Sequence, residues 1–297
     1  MTNKIYYGHH LFPYGPEPYI KTNNLGIKES HKNIIRALIT AFSNEIPNSI
    51  LSQLAGKFNF DLNSSVNLSF MNYGNTQLVY LATIADKFKF AVLINQPHTH
   101  LGVVKEEFNN LEHLVKIDQR FVVKPFAYFD LKEKGHELYA SQYIDNARCI
   151  AVNNYPGFYD PLPFYHFEKF LPETVHAINS NIISLFVNYY DSEKKRGIAK
   201  TQISGDDFIL TQNFIKNKSD TIQPNIKIIA ARGFIEASLD EYINLLRQEF
   251  LIGTNYDEKD IISGKIRINH KSKLPMNLKE IEKGIQIGLE LRKQHKL

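Results

Sequence analysis

Two adjacent carboxylates, Asp206 and Asp207, follow a glycine and lead directly into the apolar run Phe208-Ile209-Leu210. Neighbouring carboxylates at the mouth of a strand can hold a divalent cation or accept a proton from a hydroxyl nucleophile. The alternative is a tight turn in which aspartate side chains bond to nearby backbone N–H groups. Asp206 and Asp207 are therefore candidate catalytic residues, and Asp207 is also a candidate metal ligand.

Composition limits the classes of protein to which the chain can belong. Its 297 residues, 43% of them apolar, suffice for one large domain or two smaller ones. A net charge of +4 is far from the clustered basic surface that nucleic-acid binding needs, so we expect no nucleic-acid partner. The single cysteine excludes an internal disulfide. Without a signal-peptide pattern or an apolar run near the roughly 20 residues of a membrane span, we expect no membrane association and a cytoplasmic protein.

The first half of the chain is predicted to alternate between helices and antiparallel strands. Residues 1–25 hold too many glycines and prolines for a regular element, and helical spacing then predicts two helices that begin near Ser30 and Pro47. The predicted elements that follow are strands at Val66–Phe70, Leu78–Thr83 and Phe88–Ile94, a helix at Val103–Ile117, and strands at Phe121–Asp130 and Glu137–Ile144.

A segment rich in aromatic residues and proline, 153–170, changes the composition, and we place a domain boundary just before it. This segment could line a ligand pocket, bind a partner or pack under the next helix. The predicted elements beyond it are a helix from Pro172 to near Gly197, a strand at Ile226–Ala231, and helices at Ser238–Leu251 and from Asn277. The predicted organisation is an arm with two helices over 1–65, a sheet region over 66–152 and a mainly helical region over 153–297.

This order of elements resembles the bilobal protein-kinase-like fold, in particular its aminoglycoside and choline phosphotransferase branch. The turn Gly74-Asn75-Thr76 before an apolar strand is similar to the family's first turn, and Phe90–Asn95 is similar to its third strand. Glu107 lies where the following helix of the family carries its ion-pairing glutamate, and Gln142-Tyr143-Ile144 resembles the hinge. The resemblance covers roughly residues 66–250. It implies an α+β fold with a five-stranded antiparallel N-lobe and a mainly helical C-lobe.

The resemblance also implies roles for individual residues. Gly74, Asn75, Thr76, Glu107 and Tyr143 would contribute to a nucleotide site, and Asp206 would match the catalytic base, with ATP and Mg²⁺ as the cofactors. For the turn at 74–76, an ordinary hairpin is the alternative.

Several positions depart from the family's pattern. The third strand of the family carries a lysine or arginine that pairs with the helix glutamate and holds the nucleotide phosphates, and the matching residue here is Leu93. Lys89 lies on the same face of the strand but roughly 13 Å away. No asparagine separates Asp207 from the following strand, and Ala231 stands where a second metal-binding aspartate is expected.

Arg232 follows Ala231, and a guanidinium at this place could neutralise phosphate without Mg²⁺. The alternative is an ordinary surface arginine. Phosphoryl transfer depends on charge neutralisation, and losing one electrostatic contributor commonly costs about 100- to 1000-fold in rate.

We therefore favour a catalytically degenerate kinase-like protein that binds a small-molecule ligand or a protein partner. A second hypothesis is an active ATP-dependent small-molecule phosphotransferase, with Asp206 as the base, Asp207 as the metal ligand and Arg232 or Lys89 as the phosphate clamp. A third is a non-catalytic dimerisation or scaffold protein. Binding of ATP and Mg²⁺, and the oligomeric state, stay open at this point.

Overall fold

The computed structural model describes residues 4–7, 25–73, 77–96, 100–145, 147–149, 151–152, 164–165, 172–199, 207–210, 226–250 and 278–295. The chain divides into two compact units. The first unit is drawn from residues 1–109 and 124–143, and the second unit from residues 110–123 and 144–297.

The first unit is built on a six-stranded sheet with the order β1-β2-β3-β4-β6-β5. Its strands are β1 (Ile5–Tyr7), β2 (Val66–Tyr73), β3 (Gln77–Ile84), β4 (Phe88–Asn95), β5 (Pro125–Leu131) and β6 (His136–Gln142). Strands β2 to β6 are antiparallel, which confirms the predicted five-stranded sheet. β1 pairs parallel with β2, so the prediction of no regular element in residues 1–25 is wrong. Three residues are too few to show alternation, and their partner strand is distant in the sequence.

Two helices, α1 (Leu25–Ala41) and α2 (Ile50–Phe58), share a hydrophobic core with one face of this sheet. Alternate residues of β3, from Leu78 to Ile84, are buried in that core, as period-two patterning requires. α2 begins at Ile50 and not at the predicted Pro47, because the side chain of Ser49 accepts a hydrogen bond from the backbone N–H of Ser52 and caps the helix.

Side chains of α2 also cover β5, the last strand in the order of the sheet. The Gln53 carboxamide donates to the carbonyl oxygen of Tyr128 at 2.6 Å and accepts from the Tyr128 backbone N–H at 3.2 Å. Lys57 Nζ donates to the carbonyl oxygen of Phe126. Gln53 thereby supplies the donor and the acceptor that a further strand would supply. The backbone groups of Tyr128 at this sheet edge are hydrogen-bonded to Gln53 and do not pair with another chain.

α3 (Val103–Ile117) follows β4, and its residues fall partly in the first unit and partly in the second. The strand predicted to start at Phe121 starts instead at Pro125. The reason is a short 3-10 helix, Gln119–Phe121, whose N-cap Asp118 accepts from the backbone N–H of Arg120.

Three helices dominate the described part of the second unit: α4 (Pro172–Asn188), α5 (Leu239–Phe250) and α6 (Leu278–His295). α4 ends well before the predicted Gly197. Arg292 of α6 donates to the carbonyl oxygens of Val187 and Tyr190 and to Ser192 Oγ, so it satisfies acceptors at the end of α4. Six α-helices in the described residues, together with the sheet, confirm the α+β class. Among these residues no helix is both long enough and apolar enough to cross a membrane.

Short strands complete the described part of the second unit. They are β7 (Arg148–Cys149), β8 (Ala151–Val152), β9 (Phe164–Tyr165), β10 (Arg196–Ile198), β11 (Phe208–Leu210), β12 (Ile226–Ile228) and β13 (Phe234–Glu236). They form a three-stranded sheet of order β12-β11-β7 and the pairs β10-β13 and β8-β9. β11 and β12 correspond to the predicted apolar run after Asp207 and the predicted strand from Ile226.

Candidate functional site

Asp207, the described member of the predicted acidic pair, lies immediately before β11 in the second unit. Its backbone carbonyl accepts a hydrogen bond from the N–H of Ile229 at 2.8 Å, so it continues the pairing of β11 with β12. Its side chain is only 3% exposed, and Oδ1 accepts from Arg232 Nη2 at 3.2 Å. Asp206 lies outside the described residues. Of the predicted acidic pair, the structure therefore describes one member, the buried carboxylate of Asp207, which forms an ion pair with Arg232.

Arg232 lies in the connection between β12 and β13, directly after Ala231. The backbone of this connection is held by Asn110 of α3, whose Nδ2 donates to the Ala231 carbonyl oxygen at 2.9 Å. The Arg232 side chain is 22% exposed. It combines a contact to a buried carboxylate with access to solvent, so a simple surface arginine does not describe it. Sequence reasoning identified Arg232 as a candidate but did not pair it with Asp207.

The arrangement around Asp207 limits its chemistry. A guanidinium is a permanent cation, and it already neutralises charge at Oδ1. The position expected to hold a second acidic ligand is Ala231, which is fully buried. In the part of the chain that the structure describes, no group of three or more histidine, cysteine, aspartate or glutamate side chains is arranged to hold a metal ion.

Glu107 of α3 lies in the first unit, and it is completely buried. Its Oε1 accepts a hydrogen bond from the hydroxyl of Tyr139 at 2.5 Å. Tyr139 belongs to β6 and is the direct cross-strand partner of Leu93, the residue at the position where the resemblance implies a cation. The sequence pointed to Glu107 but not to Tyr139, because a tyrosine in an apolar strand has no distinguishing pattern.

Tyr143 follows the end of β6, and Lys89 Nζ lies 5.8 Å from the centroid of its ring. This distance permits a cation–π contact in the first unit. The predicted turn residues Gly74, Asn75 and Thr76 lie outside the described residues.

A second buried carboxylate centre, Asp118, lies just after α3 and was not foreseen. Arg120 donates to both of its carboxylate oxygens, and Asn188 of α4 donates to Oδ2 at 3.1 Å. Burial alone would raise the pKa of Asp118, but the hydrogen bonds from Arg120 and Asn188 outweigh it and lower the pKa below its ordinary value. The Tyr189 hydroxyl donates to the Asp118 carbonyl oxygen at 2.6 Å. This centre connects the end of α3 to α4 and has the character of a structural network.

No protein-family model and no curated protein matches this chain. The resemblance to kinase-like proteins therefore stays a prediction from the sequence.

Proposed function

We propose that this chain is a kinase-like protein whose phosphotransfer machinery is eroded and that it binds a small-molecule ligand or a protein partner without metal-dependent phosphoryl transfer. The observation that carries this proposal is the ion pair between Asp207 and Arg232 beside the buried methyl of Ala231. A carboxylate suited to a metal faces a guanidinium, and its expected acidic companion is missing.

The order of elements supports the kinase-like part of the proposal. The chain order is three antiparallel strands (β2, β3 and β4), one helix (α3) and two further strands (β5 and β6). The five strands belong to one sheet, in which β6 lies between β4 and β5. Glu107 lies on the helix of this series, and Asp207 lies at the start of the β11–β12 pair. This is the order that the resemblance implies.

The energetics of the ion pair support the eroded part. Breaking a buried ion pair by removing one partner commonly costs a protein about 3–5 kcal/mol, so a contact of this kind is not given up readily. A divalent cation that approached Asp207 Oδ1 would bring its charge next to the guanidinium, at a carboxylate that is almost completely buried.

The test combines ligand binding with turnover. Nucleotide affinity, with and without Mg²⁺, and hydrolysis or transfer of the ATP γ-phosphate would be measured for the wild type, Arg232→Gln and Arg247→Gln. Arg247 is a matched control because it forms an ion pair with Glu282 at 2.7 Å in which both side chains are more than one-third exposed. We expect no Mg²⁺-dependent turnover in any of the three proteins.

A ligand screen by thermal shift completes the test. Ligands of the Arg232 site should raise the melting temperature of the wild type and of Arg247→Gln but not of Arg232→Gln. Robust phosphorylation of a hydroxyl compound that disappears in a folded Asp206→Asn variant would instead establish an active phosphotransferase, with Asp206 as the base and Asp207 as the metal ligand.

A further inference from the structure

We propose that β6 locks the N-terminal part of α3 in a single position through two buried carboxylates, Glu107 and Glu137. We name this arrangement the carboxylate clasp: it consists of the hydrogen bond from Tyr139 to Glu107 and the hydrogen bond from the Gly102 backbone N–H to Glu137. The inference concerns the first unit and goes beyond the proposed function, because it holds whether or not the protein binds a nucleotide.

The first half of the clasp runs from strand to helix. The Tyr139 hydroxyl on β6 donates to Glu107 Oε1 on α3 at 2.5 Å, and both side chains are completely buried. A hydrogen bond between two completely buried side chains is costly to break, because the interior offers no water to replace it.

The second half runs in the opposite direction. Glu137 belongs to β6, and its Oε2 accepts from the backbone N–H of Gly102, which directly precedes α3, at 2.6 Å. Its Oε1 accepts from the Tyr128 hydroxyl at 3.0 Å. Burial, followed by the neighbouring Glu137, raises the pKa of Tyr128 well above its ordinary value, so this hydroxyl stays a donor.

An aromatic contact lies next to these two bonds. The ring of Phe108, adjacent to Glu107 on α3, has its centroid 5.7 Å from that of Tyr128 and 6.0 Å from that of Tyr139. A shift of α3 by one helical turn, about 5.4 Å, would break both carboxylate bonds and separate these rings. Because breaking the hydrogen bonds of buried carboxylates is strongly unfavourable, the N-terminal part of the helix has no second position of similar energy. The part of α3 that belongs to the first unit therefore keeps a fixed position on β6 and does not act as an adjustable element.

Native-state hydrogen exchange tests the clasp. In the wild type, the amides of residues 106–109 should exchange no more than about threefold faster than the core amides of β3, because α3 opens only when the whole unit opens. In Tyr139→Phe the amides of residues 106–109 should exchange at least about tenfold faster than those of β3, since a completely buried hydrogen bond between helix and strand is lost. Tyr242→Phe removes a buried hydroxyl that donates to the Ile198 carbonyl oxygen in the second unit, and it should leave the ratio of α3 to β3 exchange unchanged.

A variant that retains Tyr139 keeps the test decisive if Tyr139→Phe folds poorly, and a double variant measures the coupling if it folds well. Glu137→Gln keeps one acceptor oxygen for two donors, so it should also raise the exchange of α3 relative to β3. Combining Glu107→Gln with Tyr139→Phe should change the ratio by less than the product of the two single effects, because the same bond is removed only once. Wild-type α3 amides that already exchange ten times faster than β3 would overturn the clasp. Multiplicative effects in the double variant, or an unchanged ratio in Glu137→Gln, would overturn it as well.

Discussion

Replacement of Gly284 by alanine should destabilise the protein although alanine is the better helix former. Gly284 lies in α6 where this helix packs on α4. A Cβ atom at this position would lie 2.5 Å from the carbonyl oxygen of Ser180 and 2.6 Å from Ile183 Cβ, both in α4. Because one of these neighbours is a backbone atom, the clash cannot be relieved by a rotamer change alone. The helices must separate or the backbone must distort.

Two opposing contributions set the size of the effect. Helix propensity favours alanine over glycine by about 1 kcal/mol. Overpacking of a tight interface costs roughly 1–3 kcal/mol, and a fixed carbonyl places this site at the upper end. The free energy of unfolding should therefore fall by about 1–2 kcal/mol.

Gly56 provides the matched control. It lies in α2, and a Cβ atom there would meet no heavy atom within 4 Å. Gly56→Ala should therefore show the propensity gain alone, an increase of about 0.5–1 kcal/mol. Urea titration followed by far-ultraviolet circular dichroism measures the free energy of unfolding of both variants. If Gly284→Ala stabilised the protein as Gly56→Ala does, the conclusion that α4 and α6 pack too closely to admit a methyl group would be refuted.

Three further predictions concern single side chains. Arg292→Met should lower the free energy of unfolding by about 2 kcal/mol in a urea titration, because the Tyr190 carbonyl oxygen just after α4 loses its hydrogen bond from a buried guanidinium. Arg292→Lys should recover part of the loss. Burial lowers the pKa of the His136 side chain in the folded protein, so the unfolded chain binds a proton at this histidine more tightly than the folded protein does. The free energy of unfolding is therefore highest above a pH of about 6.5, and it falls as the pH decreases below that value. His136→Gln should therefore reduce the slope of the free energy of unfolding against pH between pH values of about 5 and 6.5, by at most about 1.4 kcal/mol per pH unit. An unchanged slope would show that burial of His136 does not make stability depend on pH. Gln53→Ala should uncover the backbone of β5 at Tyr128 and raise light scattering on incubation near the unfolding midpoint, whereas equal scattering of variant and wild type would show that Gln53 does not protect this edge.

Periodicity within a segment predicted most of the sheet and the helices. Alternating burial along β3 and β4 follows the alternation of apolar residues in the sequence, since one face of the sheet is covered by α1 and α2. The ends of helices and strands were predicted less accurately, because they depend on capping hydrogen bonds that periodicity does not show. The start of α2 is set by Ser49, and the strand after α3 is delayed by the turn that Asp118 caps.

Short elements could not be predicted in the same way. β1 and the short strands of the second unit contain two or three residues each, too few to show alternation, and each is defined by a partner elsewhere in the chain. β11 and β12 nevertheless fall within apolar runs that the sequence indicates. The candidate site shows the same division. The sequence identified Asp207, Glu107 and Arg232 as chemically capable residues. It did not indicate that Asp207 pairs with Arg232 or that Glu107 pairs with Tyr139.

The sequence by itself determined which of the longer segments form strands and helices in the first unit, and which side chains are acidic or basic at positions suited to a site. These properties are local, because they depend on spacing within one element. Only the tertiary structure decided that Asp207 faces Arg232 and that Glu107 faces Tyr139. These partners are 25 and 32 residues apart along the chain, and a hydrogen bond over such a separation exists only after the intervening elements have packed.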